Sequence, residues 1–277
     1  MKKILVPLDF SETSENAFVY ALEMAKIFKA ELLLLHTFEL PIVDSQAMPI
    51  NYATLYETLE MSNFDHFKEE MPKLHALAEA QQATHVGMRH IMMDGELVYS
   101  IKKVIKQENI DFVVMGTNGA TGWLDSFIGT NTASVISDVS VPVLSVPLAA
   151  KFEKIETIAF TTRFRQKDIE ALVKVLVLAK KMHAQVKCLY VKTAHSDVNT
   201  DTILRWQSHF EDEEHLQFFV IPSEEVNATI EDFLVDQDID VLAMLTYKRN
   251  FFVELFTTTT TQKLAQSLHT PILALHE

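Results

Sequence analysis

The chain holds 277 residues, 48% of them hydrophobic and 22% charged, which excludes disordered, collagen-like and low-complexity classes. Against 38 acidic residues stand 24 basic ones, a formal charge of −14, so no net basic field is available for a nucleic-acid backbone or an anionic membrane surface. Cys188, the single cysteine, cannot close an intrachain disulfide; no apolar run nears the roughly 18 residues of a bilayer span, and residues 1–10 enter a strand pattern with no apolar leader core. A cytoplasmic protein of two domains, touching neither nucleic acid nor membrane, is the expectation.

Read in chain order, the spelling alternates strand and helix. A strand from Lys2 leads through Val6-Pro7-Leu8-Asp9 to an amphipathic helix over Asn16–Phe28 and a buried strand over Glu31–Thr37. An insertion, Glu39 to about Gln82, carries Pro41 and Pro49 and then a helix from about Leu55 to Ala80. A strand over His85–Met93, a helix over Glu96–Gln107 and a strand over Ile110–Met115 follow. A glycine-rich loop then opens a helix at Thr130, and a strand over Val141–Val146 closes the half. The second half repeats the order, with a strand over Leu216–Ile221 and a helix over Glu224–Asp236.

The halves are copies. At an offset of 154, Lys2–Thr37 lies over Glu156–Val191 without a gap; at 129, Ile110–Met115 lies over Ile239–Met244 and Pro142 over Pro271. The second copy therefore lacks about 25 residues between its second and third strands. Near-continuous Val, Ile and Leu strands fit parallel sheets covered by helices on both faces. The expected architecture is α/β: two tandem doubly wound domains, residues 1–148 and 152–277, each with a mainly parallel five-stranded sheet, related by a pseudo-twofold. Ligands are then expected at strand carboxyl ends, between the first and fourth strands.

All six glycines lie in the first half, four of them between Gly116 and Gly129. Gly116-x2-Gly119-x9-Gly129-Thr130 follows the fourth strand, directly after Met115, and runs into Thr130-Asn131-Thr132 at a helix start. Helix N-termini present free N–H groups and the positive end of the macrodipole, and glycines let an anion approach the backbone. With the hydroxyls of Thr130 and Thr132 this spells a phosphate cradle made largely of backbone.

In these motifs the chain resembles the universal stress protein family in a tandem form, over essentially its whole length. The match rests on Gly116, Gly119, Gly129 and Thr130 and on the early aspartate, Asp9, in Val-Pro-Leu-Asp-Phe-Ser. The resemblance implies that Pro7, Leu8, Asp9 and Thr37 frame adenine and ribose. Gly119, Gly129, Thr130, Asn131 and Thr132 would hold the phosphates of ATP, ADP or AMP, with Mg²⁺ carried through them, and Met115 and Gly116 would belong to the same cofactor site. It further implies a role in stress survival rather than defined catalysis, and a pairing of strands Val141–Val146 and Pro271–Leu275 that supplies a dimer within one chain, with further self-association left open.

Two departures qualify this. No Lys or Arg occurs from Thr117 to Thr132, so phosphate charge would be met by backbone dipoles and metal alone. In the second copy Leu245, Lys248 and Thr258 replace the three glycines and Arg163 replaces Asp9; side chains are expected to fill that crevice and exclude nucleotide, with Lys248 and Arg249 left to attract another anion. Asp9 has a second reading, as N-cap of the first helix. His36 reads as a core histidine, His66, His75, His85 and His90 lack a compact metal spacing, and Cys188 reads as an inert buried thiol. No nucleophile–base constellation is legible, so turnover beyond weak ATP hydrolysis is not expected. Two alternatives stay open: a ligand-free scaffold that docks a protein through its acidic surface or the insertion, and a nucleotidyl- or phosphoryl-transfer enzyme.

Overall fold

The computed structural model describes residues 1–39, 52–117, 130–246 and 269–276. These residues form two compact units, Met1–Met115 and Gly116–Glu277.

In the first unit, β1 (Lys3–Pro7), β2 (Glu31–Phe38), β3 (Met88–Asp94) and β4 (Phe112–Thr117, reaching into the second unit) lie in the order β3-β2-β1-β4. Every pair is parallel, with Leu5 opposite Leu33 on one side and Val113 on the other. The apolar runs Ile4–Val6, Leu32–Leu35 and Phe112–Val114 are buried, each large side chain worth about 1.5–3 kcal/mol. Parallel neighbours need crossovers, and α1 (Glu12–Phe28), α2 (Tyr52–Ala80) and α3 (Leu97–Glu108) supply them. The helix expected from Leu55 is therefore present and three residues longer at its start.

In the second unit, α4 (Thr130–Asp138) and β5 (Val143–Pro147) precede β6 (Thr157–Thr161), α5 (Gln166–Met182), β7 (Gln185–Lys192), α6 (Thr200–His209), β8 (Leu216–Pro222), α7 (Val226–Asp236), β9 (Val241–Thr246) and β10 (Ile272–His276). The strand order is β5-β10-β9-β6-β7-β8, parallel except for β5 against β10. That antiparallel ladder sets Ile272, Leu273 and Ala274 against Ser145, Leu144 and Val143. Its centre pairs Leu144 with Leu273, the same position of the repeat, so the ladder has a local twofold, as expected from the resemblance. The ladder also explains why the compact units part at Met115 and Gly116, earlier than the repeat boundary at 148–152: β5 is hydrogen-bonded to the last strand of the chain.

The repeat extends to single hydrogen bonds. In the first copy, the N–H groups of Lys2 and Lys3 donate to one oxygen of Asp111 at 2.6 and 3.0 Å. In the second, those of Glu156 and Thr157 donate to one oxygen of Asp240 at 2.7 and 2.8 Å. Each aspartate immediately precedes the fourth strand of its copy and satisfies the N–H groups where the first strand starts, fixing the register of that pair. Left-handed backbone recurs as well: Phe10 and Phe164 at φ 61° and 54°, Lys29 and His183 at 52° and 57°, Asn109 and Asp238 at 54° and 47°. The glycine-free second copy thus meets its left-handed turns with ordinary side chains, at a cost of about 1–2 kcal/mol each. The third strands run at an offset of 128 rather than 129, since Leu32 faces Met88 where Val186 faces Leu216.

Replacing either Asp111 or Asp240 by Ala strands two backbone donors and is expected to cost about 1–2 kcal/mol in urea unfolding. Partial burial raises the Asp111 carboxyl, but the donors of Lys2 and Lys3 and the terminal amine outweigh it and hold it below 3.8. A depressed carboxyl contributes stability above its unfolded value and loses it on acidification. The Asp111→Ala difference is therefore full above pH 4 and shrinks below it.

Candidate functional site

Pro7 and Leu8 are buried at the end of β1, and Asp9 is the first exposed residue beyond them. The Leu8 N–H donates to the Leu35 carbonyl at 2.8 Å, which continues the β1–β2 ladder one step past the strand. Thr37, half-buried, lies near the end of β2, and Met115, 4% exposed, near the end of β4. Because β2 and β4 flank β1 in parallel, these four positions and Asp9 all lie towards the carboxyl ends of their strands.

The Asp9 carboxylate accepts from the Ser11 N–H at 3.1 Å and the Ser11 hydroxyl at 2.6 Å. Partial desolvation pulls its carboxyl up; the Ser11 donors pull it down, and the net position is below the ordinary 3.8. The N-cap of α1 is Ser11, whose hydroxyl accepts from Ser14 N–H at 3.2 Å, so the reading of Asp9 as the helix cap is corrected. One hydroxyl thus ends the loop and starts the helix, and Asp9 remains an ionised acceptor facing water. An acidic group there repels phosphate, which suits it to an N–H or O–H of the uncharged part of a ligand.

Phe10 takes the left-handed turn beneath Asp9. Its ring lies 4.8 Å from that of His36 and 6.0 Å from that of Phe67 on α2. His36 Nδ1 is 2.9 Å from the Leu8 carbonyl oxygen, so this histidine is a bonded packing residue, as read from the sequence. Phe164 repeats the motif against Tyr190 at 5.1 Å and Trp206 at 5.0 Å. The strained turn therefore belongs to the architecture of both copies.

Gly116 continues β4 and does not take a positive φ. Thr132 is 3% exposed, and its hydroxyl donates to the Gly116 carbonyl at 3.1 Å. That bond fastens the first turn of α4 to the end of β4, and it leaves Thr132 its backbone N–H, rather than its hydroxyl, for a ligand. Thr130 is the first residue of α4 and Asn131 is exposed beside it. The far end of α4 is held by His276, whose Nε2 lies 2.6 Å from the Ile136 carbonyl oxygen; burial lowers the His276 pKa, favouring the neutral ring. Gly119 and Gly129 lie outside the described residues, as do Asp125, Lys248, Arg249 and Thr257–Thr261.

Among the described residues no group of three or more His, Cys, Asp or Glu is placed to hold a metal ion. The His75 and His90 rings are 6.0 Å apart and belong to α2 and β3. Cys188 is buried, and desolvation with the nearby Asp168 charge pushes its thiol well up, as suits an inert thiol. No described helix is long and apolar enough to cross a membrane.

Of the side chains expected to fill the crevice of the second copy, Lys248 and Thr258 lie outside the described residues; among the described residues a cavity of about 430 Å³ lies between the carboxyl ends of β6 and β7 and the start of α7. Leu245, standing where the first copy has Gly116, lines the cavity without closing it. Sequence reasoning missed the residue that shapes its rim. Asp168, 1% exposed, accepts on one oxygen from the Thr162 hydroxyl at 2.9 Å, the Arg163 N–H at 2.8 Å and the Arg165 N–H at 3.1 Å. An acid at the third position of a helix was the available signal.

A tandem pair of doubly wound α/β copies with a glycine-patterned loop after the fourth strand defines a class of ligand-binding crevice proteins. The family model described as the Universal stress protein family matches residues 1–147. The chain belongs to the universal stress protein family. Among curated relatives it is 27% identical to universal stress protein MJ0577 of Methanocaldococcus jannaschii over 154 residues, 52% of this chain and 94% of that one. It is 28% identical to universal stress protein YxiE of Bacillus subtilis, over 52% of this chain and 97% of the relative. A universal stress protein structure from Archaeoglobus fulgidus superposes over 99% of this chain and 98% of its own, with TM-score 0.72 and 18% identity, a likeness of fold across both copies.

Ser11→Ala removes the cap and the shorter Asp9 bond together. Expected are a loss of about 1 kcal/mol in urea unfolding and an upward move of the Asp9 midpoint, read by carbon-detected NMR titration. Thr132→Val is expected to cost about 1 kcal/mol by leaving the Gly116 carbonyl without its donor.

Proposed function

We propose that the first copy, residues 1–148, binds one adenine nucleotide and that the second, residues 152–277, takes none. The observation that carries this reading is the switch point in the first sheet: β1 lies between β2 and β4, both parallel to it, so the loops after β1 and β4 leave the same edge. Pro7, Leu8 and Thr37 frame the base and ribose, and Asp9 accepts from their N–H or O–H groups. Gly119, Gly129, Thr130, Asn131 and the N–H of Thr132 receive the phosphates, with Met115 and Gly116 beside them at the end of β4. Family membership and the glycine spacing support the assignment.

Mg²⁺ travels with the phosphates, since the chain offers no cation of its own between Thr117 and Thr132. When bound, the metal neutralises phosphate charge that backbone dipoles meet only in part. Among the described residues the Asp9 carboxylate accepts from Ser11, and family membership favours a role in a stress response within the cytoplasm over rapid hydrolysis.

Calorimetric titration with ATP, ADP and AMP, with and without Mg²⁺, tests this. One nucleotide site per chain is expected, abolished by Gly129→Asp. Gly116→Leu, which copies the residue at Leu245, is expected to weaken it at least tenfold. Two nucleotide sites would overturn the assignment to one copy. No binding at millimolar nucleotide would overturn it altogether and favour a scaffold that docks a protein.

A further inference from the structure

Two positions of the first copy's proposed site are aliphatic in the second. At the offsets of the repeat, Thr37 is replaced by Val191 and Gly116 by Leu245, and both replacements line the cavity of about 430 Å³. Leu189, Val198, Val226 and Ile230 join them, so aliphatic residues reach the cavity from β7, the loop after it, α7 and β9. Leu189, Ile230 and Leu245 are buried, and the three valines are half-buried. The volume falls within the roughly 300–1,000 Å³ range of small-molecule sites.

The polar groups of the wall are turned to one another. Asp168 gathers three donors on one oxygen, and the Thr162 hydroxyl, which is one of them, accepts in turn from the Phe164 N–H at 2.8 Å. In the loop after β7, the Ser196 hydroxyl accepts from the Thr193 N–H at 2.9 Å and lies 3.3 Å from the Thr193 hydroxyl. Arg163 and Arg165 are matched in number by Asp168 and Asp197, so the lining carries no formal net charge, histidine counted as neutral. An ion entering this cavity would give up hydration and meet no opposite net charge, which disfavours anions and cations alike. An uncharged molecule gives up no ionic hydration and gains the apolar contact. We infer that the second copy binds a small, uncharged, chiefly apolar organic molecule, held by these six aliphatic residues. The inference rests on the lining itself and stands whether or not the first copy binds nucleotide.

The probe is N-phenyl-1-naphthylamine, uncharged and apolar, titrated by fluorescence into the full chain at neutral pH. Beside it runs 8-anilino-1-naphthalenesulfonate, which adds one negative charge to a similar ring system. One saturable site per chain is expected for the uncharged probe, at least tenfold tighter than for the sulfonate. Leu245→Trp and, at the half-buried first residue of α7, Val226→Trp should each weaken it at least tenfold by taking up the volume, with urea midpoints showing which variants are folded. Asp197→Asn, which leaves the lining with one net positive charge, should strengthen the sulfonate roughly threefold and leave the uncharged probe within twofold. Excess ATP should not displace the uncharged probe. No saturable binding, survival of binding in the folded tryptophan variants, a sulfonate that binds as tightly as the uncharged probe, or displacement by ATP would overturn the inference.

Discussion

A strand held between two parallel neighbours cannot be reached by hairpins, and the rest of this molecule follows from that constraint. β1 and β6 each lie in that position, so every connection to them crosses a face of the sheet and returns to the same edge. The crossings place helices over the strands, bury the Leu and Val runs, and bring the loop after the first strand and the end of the fourth to one rim. The aspartates just before each fourth strand, Asp111 and Asp240, hold this arrangement at the opposite rim. These register-fixing bonds lie at the end of the strands opposite the carboxyl-end loops.

The variation is visible between the copies. Where the first carries Asp9 bonded to Ser11, the second carries Arg163 over a buried Asp168; where the first has Gly116, the second has Leu245. Neither exchange disturbs the left-handed turn, the aromatic packed under it or the ladder step from the turn to the second strand, Leu8 to Leu35 and Thr162 to Leu189. Local chemistry changed while the backbone path was kept. This is the expected division of labour between a sheet that sets positions and loops that set specificity.

Much of this was legible before any coordinates. Strand and helix order, the parallel sheets, the long helix of the insertion and the β5–β10 pairing all follow from periodicity, the two offsets and the family pattern. The Asp111 and Asp240 pair was visible as a repeated letter, but its bonds join residues more than 80 positions apart, and no local signal encodes that. Asp168 sat in plain view as an acid in a first helical turn, yet its burial and its bond from the Thr162 hydroxyl are not encoded in that spacing. Of the three larger residues that stand for glycines in the second crevice, only Leu245 is described, and it lies along the wall of the cavity. Thr132 was assigned a free hydroxyl, and only the approach of α4 to Gly116 shows that hydroxyl to be donated.

The β5–β10 ladder has a consequence for how such a chain can evolve. When identical chains meet across a twofold axis, any substitution appears on both sides at once, and the assembly dissolves on dilution. Here the two strands belong to one polypeptide and remain at a fixed, high effective concentration whatever the abundance of the protein. Each copy is then inherited as a separate stretch of coding sequence. The residue at 9 and the residue at 163 are free to acquire opposite charge without either copy losing its neighbour, so asymmetry of recognition becomes heritable within a symmetric frame.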